Sequence, residues 1–465
     1  MGTFLEIFEN FFVQLTYIVV IGAFLFTLDD LFIDFVAFVR RLRPKRINKA
    51  ELTRMSRLPQ KRIAIMIANW KEAEVIGPMI RGNIRNLKYD NYTFFLGVYP
   101  NDTETWHEAR KVETQFPDKV HVVVNSKPGP TSKGQMLNEI ARQIFASETD
   151  ERSRYDLFLM QDSEDVLHPY SLSLLNDSSR DADFVQIPVF SFEVPKTSLI
   201  AGIYIDEFSE SHTKDLLVRQ SLGAAIPSAG VGTLISRELM NTMMLHQGGE
   251  FLKHDTLTED YHLGIMTKPL GFKSSFACVQ IEQENGETEF IATREYFPAK
   301  FMASVRQKSR WTLGIAYQGF QNLKWQGDWI DRYFLLRDRR APFNSILVVL
   351  SLIVIIGLSL FAWLRGSTPV GLDHDLFIVL MFANTLNMGL RLYQRMRAVS
   401  RVNGLSQALM VPVRWLVANA VNVCASYRAH STYQTSLRTG ERPAWVKTDH
   451  QLPAHFGREQ EAQTQ

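Results

Sequence analysis

A short acidic motif follows one of the apolar stretches of the chain. The apolar run 157–160 leads directly into Asp162, Glu164 and Asp165. If the run is a strand that continues through the motif, Asp162 and Glu164 point to the same side, because side chains alternate along a strand. Mg²⁺ is bound by one or two carboxylates together with phosphate oxygens. The motif therefore predicts a divalent-cation site for a diphosphate, although a solvated turn at a strand end would have the same composition.

Thr258, Glu259 and Asp260 form a second acidic motif. Thr258 suits a helix N-cap, and the two carboxylates suit the first helical turn, where the helix dipole favours negative charge. That arrangement would be purely structural. In the functional interpretation, one carboxylate is a general base that takes the proton from an acceptor hydroxyl while the hydroxyl oxygen attacks the anomeric carbon of a sugar.

The third motif is the run from Gln307 to Trp311, which reads Gln-Lys-Ser-Arg-Trp. On a helix, Gln307 and Arg310 share a face, and Trp311 lies one turn from Gln307. A tryptophan offers a flat apolar face to a sugar ring, and an arginine binds phosphate oxygens in a bidentate manner. An amphipathic helix at a membrane surface contains the same residue types, so this motif alone leaves both interpretations open.

The middle of the chain predicts the sheet that positions these motifs. Four apolar runs are typical of strands, at 62–68, 93–98, 120–124 and 157–160. Amphipathic stretches typical of helices lie between them, at 72–87 and 133–147. Strands separated by helices indicate a largely parallel, doubly wound α/β sheet. Such sheets bind ligands at the carboxyl ends of their strands, which is where the acidic motif at 162–165 falls.

Three apolar runs are candidates for membrane spans, at 11–28, 341–364 and 376–390. The first run has acidic residues before it and the basic cluster 40–46 after it, which is the reverse of a secretory signal. Basic residues flank the runs on one side only, so the positive-inside rule places the N-terminus outside and the central domain in the cytoplasm.

The stretch from Gly404 to Tyr427 has apolar residues at helical spacing, but Arg414 lies near its middle. An arginine there costs about 2.5–3.5 kcal/mol in a span. We therefore expect a helix in the membrane interface with Trp415 at the level of the headgroups, and a fourth span is the alternative. The polar tail from Ser431 onward is expected to be loosely ordered.

Composition limits the remaining classes. The formal net charge of +2 over 465 residues does not predict a nucleic-acid partner. Two cysteines, Cys278 and Cys424, cannot form a disulfide framework or a cysteine zinc site, which fits a reducing cytoplasm. We expect four segments: an N-terminal transmembrane helix with a basic linker (1–48), a cytoplasmic domain (49–340), two transmembrane helices (341–402), and an interfacial helix with a cytoplasmic tail (403–465).

In this order, the three motifs followed by membrane spans resemble the processive family-2 glycosyltransferases, the group of cellulose and hyaluronan synthases. The resemblance covers about residues 60 to 400 and implies a GT-A type nucleotide-sugar-binding fold with a doubly wound mixed sheet. The stretches Tyr99-Pro100-Asn101-Asp102 and Asp162-Ser163-Glu164-Asp165 look most similar to the bacterial inner-membrane glycosyltransferases called phage adsorption protein B.

The resemblance implies a role for each matching residue. The donor would be bound by Glu72, Asp102, Lys133 and Asp162. Mg²⁺ or Mn²⁺ would be held by Asp162 and Glu164, with Asp165 as the alternative to Glu164. The catalytic base of an inverting single displacement would be Asp260. The acceptor site would be formed by Gly232, Glu259, Gln307, Arg310 and Trp311.

The implied function is transfer of N-acetylhexosamine or glucose from a UDP-sugar to a growing surface glycan or exopolysaccharide at the inner membrane. The implied partners are the UDP-sugar donor, a glycan acceptor, the lipid bilayer and an outer-membrane or periplasmic export protein, without nucleic acid. The acidic motif departs from the Asp-x-Asp of the family. The interval between Asp260 and Gln307 is also longer than in the synthases, and we expect the surplus to form a mobile gating loop at 282–295.

Two other functions compete with this one. A non-catalytic scaffold in a glycan-export or phage-receptor assembly would be expected to lose its catalytic carboxylates, yet Asp102, Asp162, Glu164 and Asp260 are all present. A transporter is disfavoured because the three apolar runs carry no charge inside the membrane.

Overall fold

The computed structural model describes residues 2–283, 286–366, 369, 372 and 374–441. The helices are α1 (Gly2–Val39), α2 (Lys49–Ser56), α3 (Ala73–Asn86), α4 (Thr103–Gln115), α5 (Lys133–Ser147), α6 (Ser171–Ser178), α7 (Leu199–Glu210), α8 (Leu216–Ser221), α9 (Arg237–His246), α10 (Glu259–Thr267), α11 (Phe301–Thr312), α12 (Gly319–Leu323), α13 (Trp329–Asp338), α14 (Ala341–Arg365), α15 (His374–Asn403), α16 (Leu405–Ala408) and α17 (Val411–Thr439). The strands are β1 (Lys45–Ile47), β2 (Ile63–Ala68), β3 (Tyr92–Val98), β4 (Val120–Val124), β5 (Leu157–Gln161), β6 (Val166–Leu167), β7 (Phe184–Gln186), β8 (Val189–Ser191), β9 (Thr233–Ser236), β10 (Ser274–Phe276), β11 (Val279–Glu282), β12 (Thr288–Phe290) and β13 (Thr293–Glu295). Two π-helical segments, Ser211–Asp215 and Leu313–Gln318, join α7 to α8 and α11 to α12.

The central sheet has seven strands in the order β10-β7-β9-β5-β2-β3-β4. Strand β9 runs antiparallel to both of its neighbours, β5 and β7, whereas the other pairs are parallel. The α/β class and the mixed GT-A type sheet are confirmed, and the expectation of a largely parallel sheet missed the reversal of β9. The four predicted strands are β2 to β5, and the predicted helix at 133–147 is α5 with the same bounds.

Helices cover both faces of this sheet, so its strands are apolar on both sides. Alternate residues of β2 belong to two different cores, with Ala64 and Met66 on one face and Ile63, Ile65 and Ile67 on the other. Ile67 pairs with both Leu96 and Gln161 in the sheet. The strands β2, β3 and β5 therefore end at the same edge.

The interval that was expected to be a mobile gating loop contains strands. Strand β12 forms an antiparallel pair with β11, and β13 joins β6 and β8 in a separate three-stranded sheet. Phe290 and Ile291 are buried in the two cores of the domain. Because backbone pairing and apolar burial hold these residues, the loop prediction is wrong for them, and residues 284 and 285 lie outside the described part of the chain.

Three helices are long and apolar enough to cross a membrane: Glu6–Val39, Ala341–Leu364 and Asp375–Asn403. The predicted runs thus lie within α1, α14 and α15, and the first and third helices extend beyond them. Asp373, between the last two of these helices, lies outside the described residues.

The three candidate spans pack side by side in an up-down-up arrangement. The rings of Phe8 and Phe361 are 6.0 Å apart, and Gly22 packs against Leu347, so α1 and α14 are antiparallel. The Asn384 side chain donates to the backbone carbonyl of Val20 at 3.0 Å, and the Asn387 side chain donates to Thr27 Oγ1 at 3.1 Å. Because the partners advance in the same direction along both helices, α1 and α15 are parallel. Consequently the end of α1, the start of α14 and the end of α15 all lie at the end of the bundle that meets the α/β domain.

Ion pairs join this end of the bundle to the α/β domain. Asp30 of α1 is 3.0 Å from Arg337 of α13 and 3.2 Å from Arg391 of α15. It is also 2.7 Å from Arg340, the residue that precedes α14. Asp29 also pairs with Arg337 and Arg340. The acidic residues that follow the first apolar run therefore bind the basic residues that flank the other two.

Helix α17 continues well past the predicted end of the interfacial helix. It runs to Thr439, so the expectation of a loosely ordered tail from Ser431 is wrong up to that residue, and residues 442–465 lie outside the described part. One face of α17 packs on α7, α11 and α14. The apolar residues Val413, Leu416, Ala420 and Cys424 of α17 are exposed, as are Leu405 and Leu409 at the short helix α16 that precedes it.

Arg414 does not point to the exposed face of α17. Its side chain is 1% exposed, donates from Nε to Asp206 Oδ2 at 3.0 Å, and donates from Nη1 to Gln407 Oε1 at 2.8 Å. The charge that argued against a fourth span is thus satisfied inside the protein. An interfacial position of this helix stays a prediction, which the exposed apolar face supports.

Candidate functional site

The shared edge of β2, β3 and β5 opens into a polar cleft with a volume of about 110 Å³. Its walls come from the segments that follow these strands, from the start of α5 and from α11. The side chains that line it include Trp70, Glu72, Tyr99, Lys133, Asp162 and Arg310. Four residues predicted from separate motifs, Glu72, Lys133, Asp162 and Arg310, therefore meet in one place.

The segment after β2 is held by its neighbour after β3. Lys71 adopts a left-handed backbone conformation with φ of 57°, and its N–H donates to Asp102 Oδ2 at 2.5 Å. The N–H of Glu72 donates to Thr105 Oγ1 at 2.9 Å. A non-glycine residue in this region of backbone conformation is uncommon and costs of order 1–3 kcal/mol. Asp102 thus stabilises the turn that directs Glu72 into the cleft, and it lies behind the lining residues.

The acidic motif forms a turn rather than a continuation of the strand. Strand β5 ends at Gln161, and the N–H of Asp162 donates to Asp165 Oδ2 at 2.8 Å. Alternation along a strand therefore does not apply, and Glu164 does not line the cleft although Asp162 does. Glu164 is buried and accepts from the Ser163 hydroxyl at 3.3 Å. The pKa of Asp165 is raised well above its usual value by burial and then by nearby carboxylates, which suits a structural role.

Lys133 is the central cation of the cleft. Its ammonium group is 2.5 Å from Asp162 Oδ1 and donates to the backbone carbonyl of Gly230 at 3.0 Å. Burial alone would lower the pKa of Lys133, but Asp162, Asp260 and Glu259 outweigh burial and raise it. Lys133 therefore stays charged. Within the described residues, no group of three or more His, Cys, Asp and Glu side chains is arranged to hold a metal ion.

Asp260 lies at the start of α10, close to Lys133. The N–H of Tyr261 donates to Asp260 Oδ1 at 2.8 Å. Burial raises the pKa of Asp260, and the positive charge of Lys133 opposes that rise. The positive φ of Gly230, 83°, lets the backbone approach so closely that a Cβ there would be 2.6 Å from Asp260 Oδ2. Thr258 makes no capping hydrogen bond. The purely structural interpretation of this motif, in which Thr258 caps the helix, is therefore not supported at that residue.

Glu259 is buried beside this carboxylate. Burial, followed by the charge of Asp260, raises the pKa of Glu259 to about 7. Gly134 packs directly against its side chain. Glu259 therefore lies behind the start of α5, and it does not line the cleft.

Consecutive residues of α11 face two different cavities. Arg310 lines the cleft, and burial lowers its pKa against the opposing effect of Glu259, Asp162 and Asp260. Trp311 lines a second cavity of about 490 Å³ between α1, α11, α14 and α17. Gln307 Oε1 is buried without a hydrogen-bond partner among the described residues. Gly232 lines neither cavity: it packs against Ile187 and Thr293.

Residues 59–314 match the family described as glycosyltransferase like family 2. The match covers more than half of the chain and includes the cleft residues from β2 to α11. The chain belongs to this glycosyltransferase family.

Two curated relatives agree with this assignment. Bacteriophage adsorption protein B of Escherichia coli strain K12 and bacteriophage N4 adsorption protein B of Escherichia coli O157:H7 are each 37% identical to this chain over 461 residues. The match covers 93% of this glycosyltransferase and 61% of each relative, so the chain spans about three fifths of their length.

A solved structure supports the fold. A mannosyltransferase from Pyrobaculum calidifontis in complex with GDP-Man and Mn²⁺ superposes with a TM-score of 0.54 at 13% identity. The superposition covers 91% of this chain and 98% of that one. At this identity the likeness shows a shared GT-A type fold.

The structure also adds aromatic residues to the glycosyltransferase cleft for which the sequence predicted no role. The rings of Trp70 and Tyr99 meet edge to face at 5.2 Å and both line the cleft. The Tyr99 hydroxyl is 2.6 Å from Thr131 Oγ1, which also lines the cleft. Tyr99 directly follows β3 and Trp70 is the second residue after β2, and that position just beyond a buried strand is the signal by which the sequence could have identified them.

Proposed function

We propose that this chain is an inverting glycosyltransferase that transfers a sugar from a UDP-sugar to a surface glycan or exopolysaccharide on the cytoplasmic face of a bacterial inner membrane. The observation that carries this function is the convergence of Lys133, Arg310 and Asp162 at the edge of the sheet, beside Asp260. Two cations and a carboxylate in one cleft suit a diphosphate that is bound with a divalent cation, and a buried carboxylate next to them suits a base.

In the proposed reaction, Asp260 accepts the proton of an acceptor hydroxyl. The hydroxyl oxygen attacks the anomeric carbon, the bond from that carbon to the UDP oxygen breaks, and the configuration inverts. Arg310 and Lys133 lie where negative charge develops on the departing diphosphate, and preorganised charges of this kind stabilise the transition state. Trp70 and Tyr99 form the wall of the cleft beside the proposed donor-binding residue Glu72.

A divalent cation, Mg²⁺ or Mn²⁺, fits the chemistry of the cleft. One or two carboxylates together with phosphate oxygens suffice to bind Mg²⁺, and Asp162 presents a carboxylate to the cleft. Glu164 remains the second proposed ligand on the resemblance alone. The Pyrobaculum mannosyltransferase, whose structure contains GDP-Man and Mn²⁺, supports the proposal. When bound, the cation would neutralise the leaving diphosphate.

The acceptor is proposed to approach from the cavity that Trp311 lines. That cavity contains a second tryptophan, Trp415, and the amides of Asn344, Asn419 and Asn422. Flat aromatic faces and amides suit sugar rings and hydroxyl groups. The names of the two curated relatives refer to bacteriophage adsorption, which is compatible with a product at the cell surface. The proposed donor is UDP-N-acetylhexosamine or UDP-glucose, and the proposed partner is an outer-membrane or periplasmic export protein.

Transfer should depend on a divalent cation. Membranes that contain the protein, incubated with a panel of radiolabelled UDP-sugars, are expected to label a glycan from one of them. Label should disappear with EDTA and return with Mg²⁺ or Mn²⁺, because the charge of the diphosphate is otherwise only partly neutralised. Asp162→Asn should weaken cation-dependent UDP binding, whereas the exposed Asp118→Asn should leave it unchanged. Full transfer in excess chelator would disprove the assignment of Asp162 and Glu164.

The proposed topology has three spans with the α/β domain inside. A reporter fused after Gln465 should then show cytoplasmic exposure, because the basic residues that flank the bundle are concentrated at the end that meets this domain, with Arg365 alone at the far end of α14. A reporter inserted after Gly366, at the other end of α14, should show periplasmic exposure and serves as the control. Periplasmic exposure of both reporters would instead make the stretch from Gly404 to Tyr427 a fourth span.

A further inference from the structure

The C-terminal ends of α1 and α15 meet on the same side of the helix bundle. Contacts between these helices advance in step along both, from Val20 with Asn384 at 3.0 Å to Asp30 with Arg391 at 3.2 Å. The residues that follow Val39 therefore lie beside the last turns of α15. This places two basic stretches that are distant in sequence next to each other.

Four arginines from these stretches form one exposed cluster, which we call the arginine cluster: Arg43, Arg46, Arg397 and Arg401. Arg401 lies close enough to the other three for their charges to act on its own. All four side chains are exposed. The cluster thus holds four like charges at the ends of two candidate spans.

Other arginines at this end of the bundle are neutralised, which makes the arginine cluster distinctive. On α15 itself, Arg391 and Arg395 are 2.9 Å and 2.7 Å from the carboxylate of Glu210. Within the described part of the chain, none of the four cluster arginines has a carboxylate at ion-pair distance. Arg391 and Arg395 therefore stabilise the fold through ion pairs. The arginine cluster remains available to bind an anion outside the chain.

The helix ends themselves do not compensate the cluster. A helix C-terminus carries roughly half a negative charge, so two of them supply about one unit against four positive charges. The remaining excess calls for an external anion. Guanidinium groups bind phosphate oxygens in a bidentate manner, and phosphate is therefore the best-matched anionic group.

We propose that the arginine cluster is a binding site for the phosphate headgroups of anionic phospholipids. Its position supports a lipid source, because the cluster lies at the ends of two candidate spans, where basic pockets between helices bind headgroups such as that of cardiolipin. The site requires that α1 and α15 cross a bilayer, and it does not depend on sugar transfer. Bound lipid would link α1 to α15 and fix the end of the bundle that carries the α/β domain.

The test uses the purified full chain in neutral detergent and a fluorescent cardiolipin analogue, whose binding is followed by anisotropy. In the variant Arg43→Gln/Arg46→Gln/Arg397→Gln/Arg401→Gln, affinity should fall at least about tenfold, because each basic residue near a membrane surface contributes to anionic lipid binding. The control Arg428→Gln/Arg438→Gln removes two exposed arginines of α17 and should leave affinity within about twofold of the wild type. If the fourfold variant does not fold, the pairs Arg43/Arg46 and Arg397/Arg401 are replaced separately, and each should weaken binding.

Three outcomes would overturn the site. Equal weakening by the control variant would show that net charge alone attracts the lipid. Equal binding of a fluorescent phosphatidylcholine analogue would show that the phosphate of an anionic lipid is not what is recognised. Displacement of the cardiolipin analogue by millimolar inorganic phosphate would assign the cluster to a free phosphate instead. UDP-sugar transfer in the same preparations is measured separately, so failure of the lipid site and failure of the proposed enzymatic function can be told apart.

Discussion

Replacement of Asp260 by asparagine is expected to lower turnover by at least about 100-fold, because general-base catalysis typically contributes about 10²–10⁴-fold. Asparagine keeps nearly the same shape and cannot accept the acceptor proton. The Tyr261 N–H can still donate to the side-chain oxygen at this position, so the start of α10 should be retained. UDP affinity should change little, because the proposed donor contacts come from Glu72, Lys133, Asp162 and the segment that Asp102 holds. Turnover is measured with the preferred UDP-sugar, and UDP affinity by calorimetry.

The control for this variant is Asp181→Asn, which makes the same chemical change at an exposed position of the α/β domain. It should transfer sugar at the wild-type rate. A wild-type rate in Asp260→Asn would remove the base assignment. If that variant also kept the glycan-dependent phenotype in cells, the non-catalytic scaffold function would gain support.

The structure explains why Asp260 suits a base. Burial raises the pKa of this carboxyl, and a base whose pKa approaches the working pH takes up a proton more readily at the moment of attack. Lys133 acts against the same shift, because its positive charge favours the ionised form of the carboxylate. Lys133 thus acts on both the proposed donor site and the proposed base, and neither the acidic motif at Asp162 nor the motif at Asp260 reveals this by itself.

Elements of regular structure could be predicted because their signals are local. Helix α5 and the candidate span Ala341–Leu364 have the bounds that periodicity and apolar length predicted. Strand β9 was missed, because pairing with β5 and β7 in the reverse direction depends on chain reversals that no local pattern encodes. Helix propensity and tertiary packing likewise extend α17 through polar residues up to Thr439.

The sequence correctly predicted which residues meet in the cleft when they lie at the edge of the sheet. It failed for residues in the turn that follows a strand. Glu72, Lys133, Asp162 and Arg310 meet in the cleft as expected. Glu164 does not join them, because β5 ends at Gln161 and the side chain of Asp165 closes a turn. A period of two applies only as long as the strand lasts.

The buried pair of Arg414 and Asp206 could not be read from the sequence, since its members lie 208 residues apart. From the sequence alone, Arg414 appeared as a charge inside an apolar helix. In the fold it anchors α17 to α7, and the absence of a side chain at Gly202 leaves room for its guanidinium group. A single charged residue within an apolar stretch of sequence can therefore indicate an ion pair with a residue far away in the chain.

Replacement of Arg414 by methionine is expected to lower the free energy of unfolding by about 3–5 kcal/mol, because removal of one member of a buried ion pair leaves the other buried without its partner. Asp206 is 3% exposed and would lose its partner. The pKa of Asp206 is raised to about 7 by burial, even with Arg414 present to lower it. The free energy is measured by denaturant unfolding in detergent micelles, with the exposed Arg428→Met on the same helix as the control.

The double variant Asp206→Asn/Arg414→Met separates the ion pair from lost packing. It removes the buried charge as well, so it should be more stable than Arg414→Met alone, and the difference measures the coupling between the two side chains. The same series tests whether Arg414 is paired. If Arg414 were instead an unpaired charge inside a membrane span, its loss would relieve an insertion cost of about 2.5–3.5 kcal/mol, and Arg414→Met would stabilise the protein. Destabilisation by the single variant together with partial recovery in the double variant would show that this helix is held by the α/β domain.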